Sequence, residues 1–208
     1  MTKEAYIIFS KIPEPGYVKT RLQPDLSAEE SARVQLIMLN KLIRNSKELS
    51  KSMTIFFAYQ GFDNLITSRF LSGLPSFIHT FPQKQGSLGM KMSSAIQNVQ
   101  DQGFGHVILT GSDVPQLNSE IIYKANESLN TNNIVLGPTY DGGYYLFGTS
   151  IYNVDPYLNT DISWSTSSVL DTTINLIHES NQKLYLMPTM VDVDFKADLN
   201  KVKEYVEE

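Results

Sequence analysis

The chain has 208 residues, 41% of them apolar, enough for one sizeable core and too few for two comfortable domains. Its 17 Lys and Arg against 22 Asp and Glu leave a formal charge of −5, which argues against nucleic acid or an anionic membrane as the main partner. With no cysteine and only three scattered histidines, disulfides, thiolate nucleophiles and Cys- or His-clustered zinc are excluded, and a hard, oxygen-ligated metal is the kind left open.

Short apolar runs alternate with amphipathic stretches. Ala5 to Ser10 reads as a strand, then Ser27 to Ser50 as a helix, with Val34, Leu36, Ile37, Leu39, Leu42 and Ile43 at helical spacing, a Ser27 cap and Glu29 and Glu30 in the first turn. Strands follow at Thr54 to Tyr59 and Ser76 to Phe81, a helix at Ser87 to Gln102, a strand at His106 to Thr110, a helix at Ser119 to Asn130 and a strand at Ile134 to Gly137. The rhythm then changes: Gly142-Gly143 lead straight into Tyr144 to Phe147, which predicts an antiparallel insertion. A helix over Ser167 to Ser180, a strand at Leu184 to Met187 and a helix over Ala197 to Val206 complete the pattern. Strand and helix in alternation predict a single α/β domain over residues 1–208, with a mostly parallel mixed sheet. No apolar run is long enough for a secretory signal or a membrane span, so a cytoplasmic protein with no membrane insertion is expected.

In an open α/β sheet, ligands bind beyond the carboxyl ends of the strands. After the first strand, Lys11-Ile12-Pro13-Glu14-Pro15-Gly16-Tyr17-Val18-Lys19-Thr20-Arg21 forms a loop stiffened by two prolines and bent at Gly16. It presents Lys11, Lys19 and Arg21, offset locally only by Glu14, and such a set suits a polyphosphate; an ordinary loop with solvated charges fits the composition equally well. After the fourth strand, Gly111-Ser112-Asp113-Val114-Pro115 places one carboxylate where Mg²⁺ or Mn²⁺ would need it, or where a helix needs a cap. Asp141-Gly142-Gly143 is a hairpin signal whose glycines would also let an acceptor approach the backbone. Of Asp192 and Asp194, on opposite faces of an extended segment, at most one is expected to join Asp113 at a metal, the other capping the last helix.

Taken in order, Phe9 to Leu22, Gly111 to Pro115, Gly137 to Leu146, Trp164-Ser165-Thr166 and Asp192-Val193-Asp194 resemble one bacterial family, the rSAM/selenodomain-associated transferase 1 domain, related to molybdenum cofactor guanylyltransferase and phospholactate guanylyltransferase. The resemblance implies a GT-A-like nucleotide-diphospho-sugar transferase fold, three-layered, with helices on both faces of the sheet. It further implies the first loop, with Lys11, Gly16, Lys19 and Arg21, around nucleotide phosphates and Asp113 as the metal aspartate; the residues themselves add Gly111 and Ser112 to the phosphate site, Asp141, Gly142 and Gly143 near the acceptor, Lys19, Arg21 and Asp113 as catalytic groups, and Asp192 as a second metal carboxylate. The expected activity is transfer of a nucleotidyl group from a nucleoside triphosphate to a small phosphorylated or carboxylate acceptor. Glycosyl transfer from a nucleotide-sugar, with Asp141 as base, is the alternative. One departure stands out. Where relatives tend to carry Gly-Asp-Leu-Gly-Glu-Arg-Met, this chain has Gly86-Ser87-Leu88-Gly89-Met90-Lys91-Met92, losing both acids and replacing Arg by Lys, which cannot make a bidentate contact. A nucleotide-binding module without turnover is therefore a third reading.

Overall fold

The computed structural model describes residues 2–206. Among the described residues, seven strands form one sheet: β1 (Glu4–Lys11), β2 (Thr54–Gln60), β3 (Ile78–Pro82), β4 (His106–Thr110), β5 (Ile134–Pro138), β6 (Tyr144–Thr149) and β7 (Leu184–Leu186). Their order is β3-β2-β1-β4-β6-β5-β7, and every pairing is parallel except those of β6, which runs against β4 and β5. The antiparallel insertion predicted from Gly142-Gly143 is thus a hairpin, β5 to β6. Strands β4 and β5 are buried throughout and mostly apolar, as a sheet covered on both faces requires.

Helices cover both faces. One face carries α1 (Ala28–Leu49), α2 (Asn64–Ser72) and α4 (Ser119–Ser128), with Leu39, Leu42, Leu49, Ile122 and Leu129 in its core. The other carries α3 (Leu88–Gln100), α5 (Asp155–Leu158) and α6 (Val169–Glu179), with Met92, Ile96, Val99 and Ile177. The expected three-layer α/β arrangement is what the chain forms. α1 opens with a full capping box, in which Ser27 Oγ accepts from Glu30 N at 3.1 Å while the Glu30 carboxylate accepts from Ser27 N at 2.7 Å.

Two expectations are corrected. The single helix predicted for Ala197 to Val206 is split into α7 (Lys196–Lys201) and α8 (Lys203–Val206), which pack with Val34 and Met38 of α1. Neither Asp192 nor Asp194 caps α7; Asp198, inside its first turn, accepts from the backbone of Phe195 at 3.0 Å and of Asp194 at 3.4 Å. Among the described residues no helix is long and apolar enough to cross a membrane.

The strand order reverses at β1, whose neighbours β2 and β4 lead the chain in opposite directions. The loops after β1 and β4 therefore part there and leave a crevice at the carboxyl ends of the sheet.

Candidate active site

That crevice is a cleft of about 510 Å³. Lys11, Lys19, Arg21, Gly111, Ser112, Asp113, Asp141, Gly143 and Asp192 all line it, whereas Gly16 and Gly142 are not on its wall. Gly16 instead shapes the loop after β1: its φ of 85° lies in the left-handed region, while an added Cβ would meet nothing within 4 Å, so the backbone angle and not space calls for glycine.

The loop is fastened from behind. Ile12 and Val18 are buried, and Glu14, the acid expected to offset the loop's cations, is buried too, its two oxygens accepting from the backbone of Phe62 and Asp63, each at 2.8 Å. Tyr17 stacks on Phe62 with ring centroids 4.4 Å apart, and the Lys11 ammonium lies 5.9 Å from the same ring. The negative charge is thus spent on bracing the loop, and the cleft-facing side is left cationic.

Lys19 adopts a left-handed conformation (φ 48°), uncommon without glycine, at the start of a 3-10 turn over Thr20–Leu22. Its side chain is only 4% exposed: the ammonium donates to the Val193 carbonyl at 2.6 Å and pairs with Asp113 Oδ1 at 2.9 Å, with Asp194 Oδ1 at 3.9 Å. Arg21 is half-exposed, pairs with the other oxygen of Asp194 and lies over Phe195. Two cations of the first loop therefore meet Asp113 from the β4 loop and the segment before α7 at one point.

Beneath them sits a buried polar network. Ser10 and Ser112 share a hydroxyl–hydroxyl bond of 2.8 Å, and the Gln35 amide of α1 donates to both. Gln83 donates to the carbonyls of Ser10 and Ala58 at 3.1 and 3.0 Å, tying the ends of β1 and β2 together. The Ser112 hydroxyl is engaged in this floor, while Gly111, where an added Cβ would meet nothing within 4 Å, leaves the cleft open beside it.

On the far side, Asp141 braces the hairpin: its Oδ1 accepts from Thr139 Oγ1 at 2.6 Å and from Gly143 N at 3.0 Å. Gly142 (φ 90°) is where the hairpin meets the loop before α6; a Cβ there would lie 2.1 Å from the Ser167 carbonyl oxygen. Among the described residues, Asp192 has no hydrogen bond of this kind. Burial, with Asp141 and Asp194 beside it, pushes its carboxyl up to about 6, against the weaker pull of Lys19.

Gln60 and Gln83 line the cleft without having been expected there; Lys91, which stands where relatives tend to carry Arg, and Tyr144 line it too, and Lys91 Nζ donates to Gln60 Oε1 at 2.9 Å. Gln60 and Gln83 lie at or just beyond the carboxyl ends of β2 and β3, so the strand-end rule that led to Asp113 would also have reached them. Ser87 caps α3 as its place in the altered Gly86 to Met92 stretch suggested, accepting from Met90 N at 3.2 Å.

A protein from Desulfovibrio desulfuricans G20, whose proposed activity is nucleotide-diphospho-sugar transfer, is 28% identical in sequence; it superposes with a TM-score of 0.89 over 97% of this chain and 87% of its own. The fold alone is shared with 4-diphosphocytidyl-2C-methyl-D-erythritol synthase from Anaerococcus prevotii DSM 20548 (12% identity, TM-score 0.63, 99% of each chain). It is shared likewise with the inositol-1-phosphate CTP transferase from T. maritima (14% identity, TM-score 0.58, 99% of this chain and 96% of that one). No curated protein matches the chain. Residues 45–166, more than half of the sequence and including the β4 loop and the hairpin, match one family, and the chain belongs to it: the uncharacterized proteins conserved in bacteria known as DUF2064.

Proposed function

We propose that the chain is a nucleotide-using transferase that moves a nucleotidyl group from a nucleoside triphosphate to a small phosphorylated or carboxylate-bearing acceptor. The observation that carries this reading is the pairing of Lys19 with Asp113 and of Lys19 and Arg21 with Asp194 at the topological reversal of the sheet. Nucleotide-using transferases with the same fold support it. An oxygen of the acceptor attacks the α-phosphorus, a new P–O bond forms, and the bond to the β-phosphate breaks, with pyrophosphate leaving with the electron pair. Lys19 and Arg21 stabilise the charge that builds on the phosphate oxygens, and Lys11 adds a third cation. The ammonium of Lys19 exchanges the Asp113 carboxylate for phosphate oxygen as the nucleotide enters.

The residues present suit a divalent cation such as Mg²⁺ or Mn²⁺. The raised Asp192 carboxyl marks an excess of carboxylates that a cation would relieve. Asp113 and Asp192 would hold it. No group of three potential His, Cys, Asp or Glu ligands forms among the described residues, so phosphate and water oxygens would complete the shell, as Mg²⁺ commonly allows. When bound, the ion supplies charge neutralisation and orientation of the phosphates.

The activity proposed for the 28% identical protein favours a second reading, glycosyl transfer from a nucleotide-diphospho-sugar. Asp141 is its candidate base, although one oxygen is already committed to the turn. Thermal unfolding with a panel of triphosphates and nucleotide-sugars separates the two, since a ligand at 100 times its Kd adds about 2.7 kcal/mol. The expected result is a rise in Tm of roughly 5–10 °C with one triphosphate and Mg²⁺, lost in Lys19→Ala and Asp113→Ala, and pyrophosphate release with an acceptor. A shift confined to nucleotide-sugars would favour the second reading, binding without turnover would leave a binding module, and no shift with any nucleotide would sink all three.

A further inference from the structure

The two sides of the cleft differ in chemistry. In the sheet order, Gln60 and Gln83 lie on the far side of β1 with Lys91 and Lys11 beside them, an amide- and amine-rich end suited to the polar edge of a base. On the other side of Asp113, where β6 begins, the wall carries the rings of Tyr144 and Trp164 and the side chain of Val169, with Met92 behind, among the polar residues Thr139, Asp141, Ser165 and Thr166. Trp164 stands edge-on to Tyr144, with centroids 6.2 Å apart at 73°. It also backs onto α3 at Gly89, where an added Cβ would lie 2.7 Å from the indole. Burial pushes the Tyr144 phenol far above its ordinary value, so it stays neutral and offers no base. Phosphates and ribose gain little from such a surface. A flat apolar ring gains both burial and aromatic contact.

Resting on the nucleotidyl-transfer reading, in which the triphosphate takes the cationic side, we propose that the Tyr144–Trp164–Val169 wall is the acceptor subsite and that the acceptor carries a flat apolar ring beside its phosphate or carboxylate. The ring lies against Trp164, and the anionic group turns toward the α-phosphate between Lys19 and Asp113.

Trp164 is the only tryptophan of the chain, so its emission reports on this wall alone. Phenyl phosphate and methyl phosphate differ by the ring and serve as probes of the full chain. Phenyl phosphate is expected to shift the emission and to bind about three- to tenfold more tightly than methyl phosphate. By calorimetry, Trp164→Ala should bring the two to equal affinity and Trp164→Phe should restore the preference, while nucleoside triphosphates alone leave the wild-type emission unchanged. Equal binding of the two phosphates to the wild type, or binding of neither, overturns the proposal. So does a triphosphate that by itself moves the emission and loses affinity in Trp164→Ala, which would put the base on this wall. Lys19→Ala keeps the two readings apart: if it retains full triphosphate binding, nucleotidyl transfer at the cationic side fails, while the ring preference is still decided by the two phosphates.

Discussion

Glu14 has both carboxylate oxygens turned away from the cleft and onto the backbone of Phe62 and Asp63, and its side chain is buried. In Glu14→Gln, one of those oxygens becomes an amide nitrogen facing an N–H donor, which loses one charge-assisted bond and leaves a part-buried donor unpaired. The expected loss is about 2–3 kcal/mol, read as a fall in Tm of roughly 5–10 °C for a chain of this size; an unchanged Tm would mean that the loop after β1 is held by its apolar anchors alone. Lys19, Arg21 and Asp113 were legible in the sequence because each follows a strand and carries the charge a phosphate or metal requires. The bracing role of Glu14 was not, and neither was the Gln35 bridge between Ser10 and Ser112, because their partners lie far along the chain and only tertiary packing brings them together. The pairing of Arg21 with Asp194 was hidden for the same reason.

Between elements, α3 comes close to α5 at Gly89, near the cleft. By helix propensity alone, Gly89→Ala would gain about 1 kcal/mol. The added Cβ, however, would stand 1.7 Å from the Leu158 carbonyl oxygen, a backbone atom with no rotamer to yield, and 2.7 Å from Trp164. The overlap should win, for a net destabilisation of about 1–3 kcal/mol in urea unfolding, accompanied by a changed Trp164 emission; a gain in stability would show that α3 stands off from α5 in solution. Most elements were readable from periodicity, because the strands are apolar runs and α1 and α3 begin at serine caps. α2 was not. It buries no residue fully and exposes Leu65 and Ile66, so it has no clear apolar face to reveal it, and its signal is local: Asp63 Oδ1 accepts from Leu65 N at 2.8 Å and Ile66 N at 2.9 Å.

Across the whole molecule, charge is divided along the chain: residues 1–53 hold nine basic and six acidic side chains (9 − 6 = +3), and residues 54–208 hold eight and sixteen (8 − 16 = −8). Folding brings part of that division together at the cleft, where Lys19 and Arg21 of the first segment face Asp113 and Asp194 of the second. The balance is incomplete at Asp192, whose carboxyl, ordinarily near 3.8, is pushed up to about 6 by burial and by Asp141 and Asp194. The sign follows from proton binding. Between about pH 4 and 6 the folded chain holds this proton more firmly than the unfolded chain, so the group favours folding fully below that window and loses its contribution as pH rises through it. Above pH 6 the ionised carboxylate is a standing cost, about 1 kcal/mol once solvent screening in the open cleft is allowed for. Asp192→Asn should therefore raise Tm by roughly 2–4 °C at pH 7.5 and leave it nearly unchanged at pH 4. If Asp192 also binds the divalent cation, saturating Mg²⁺ should stabilise the wild type at pH 7.5 and do less for the variant, narrowing the gap between them. An equal gain at both pH values would show that the substitution acts through packing and not through charge, and no gain at pH 7.5 would mean that Lys19 already neutralises the pair of loops unaided.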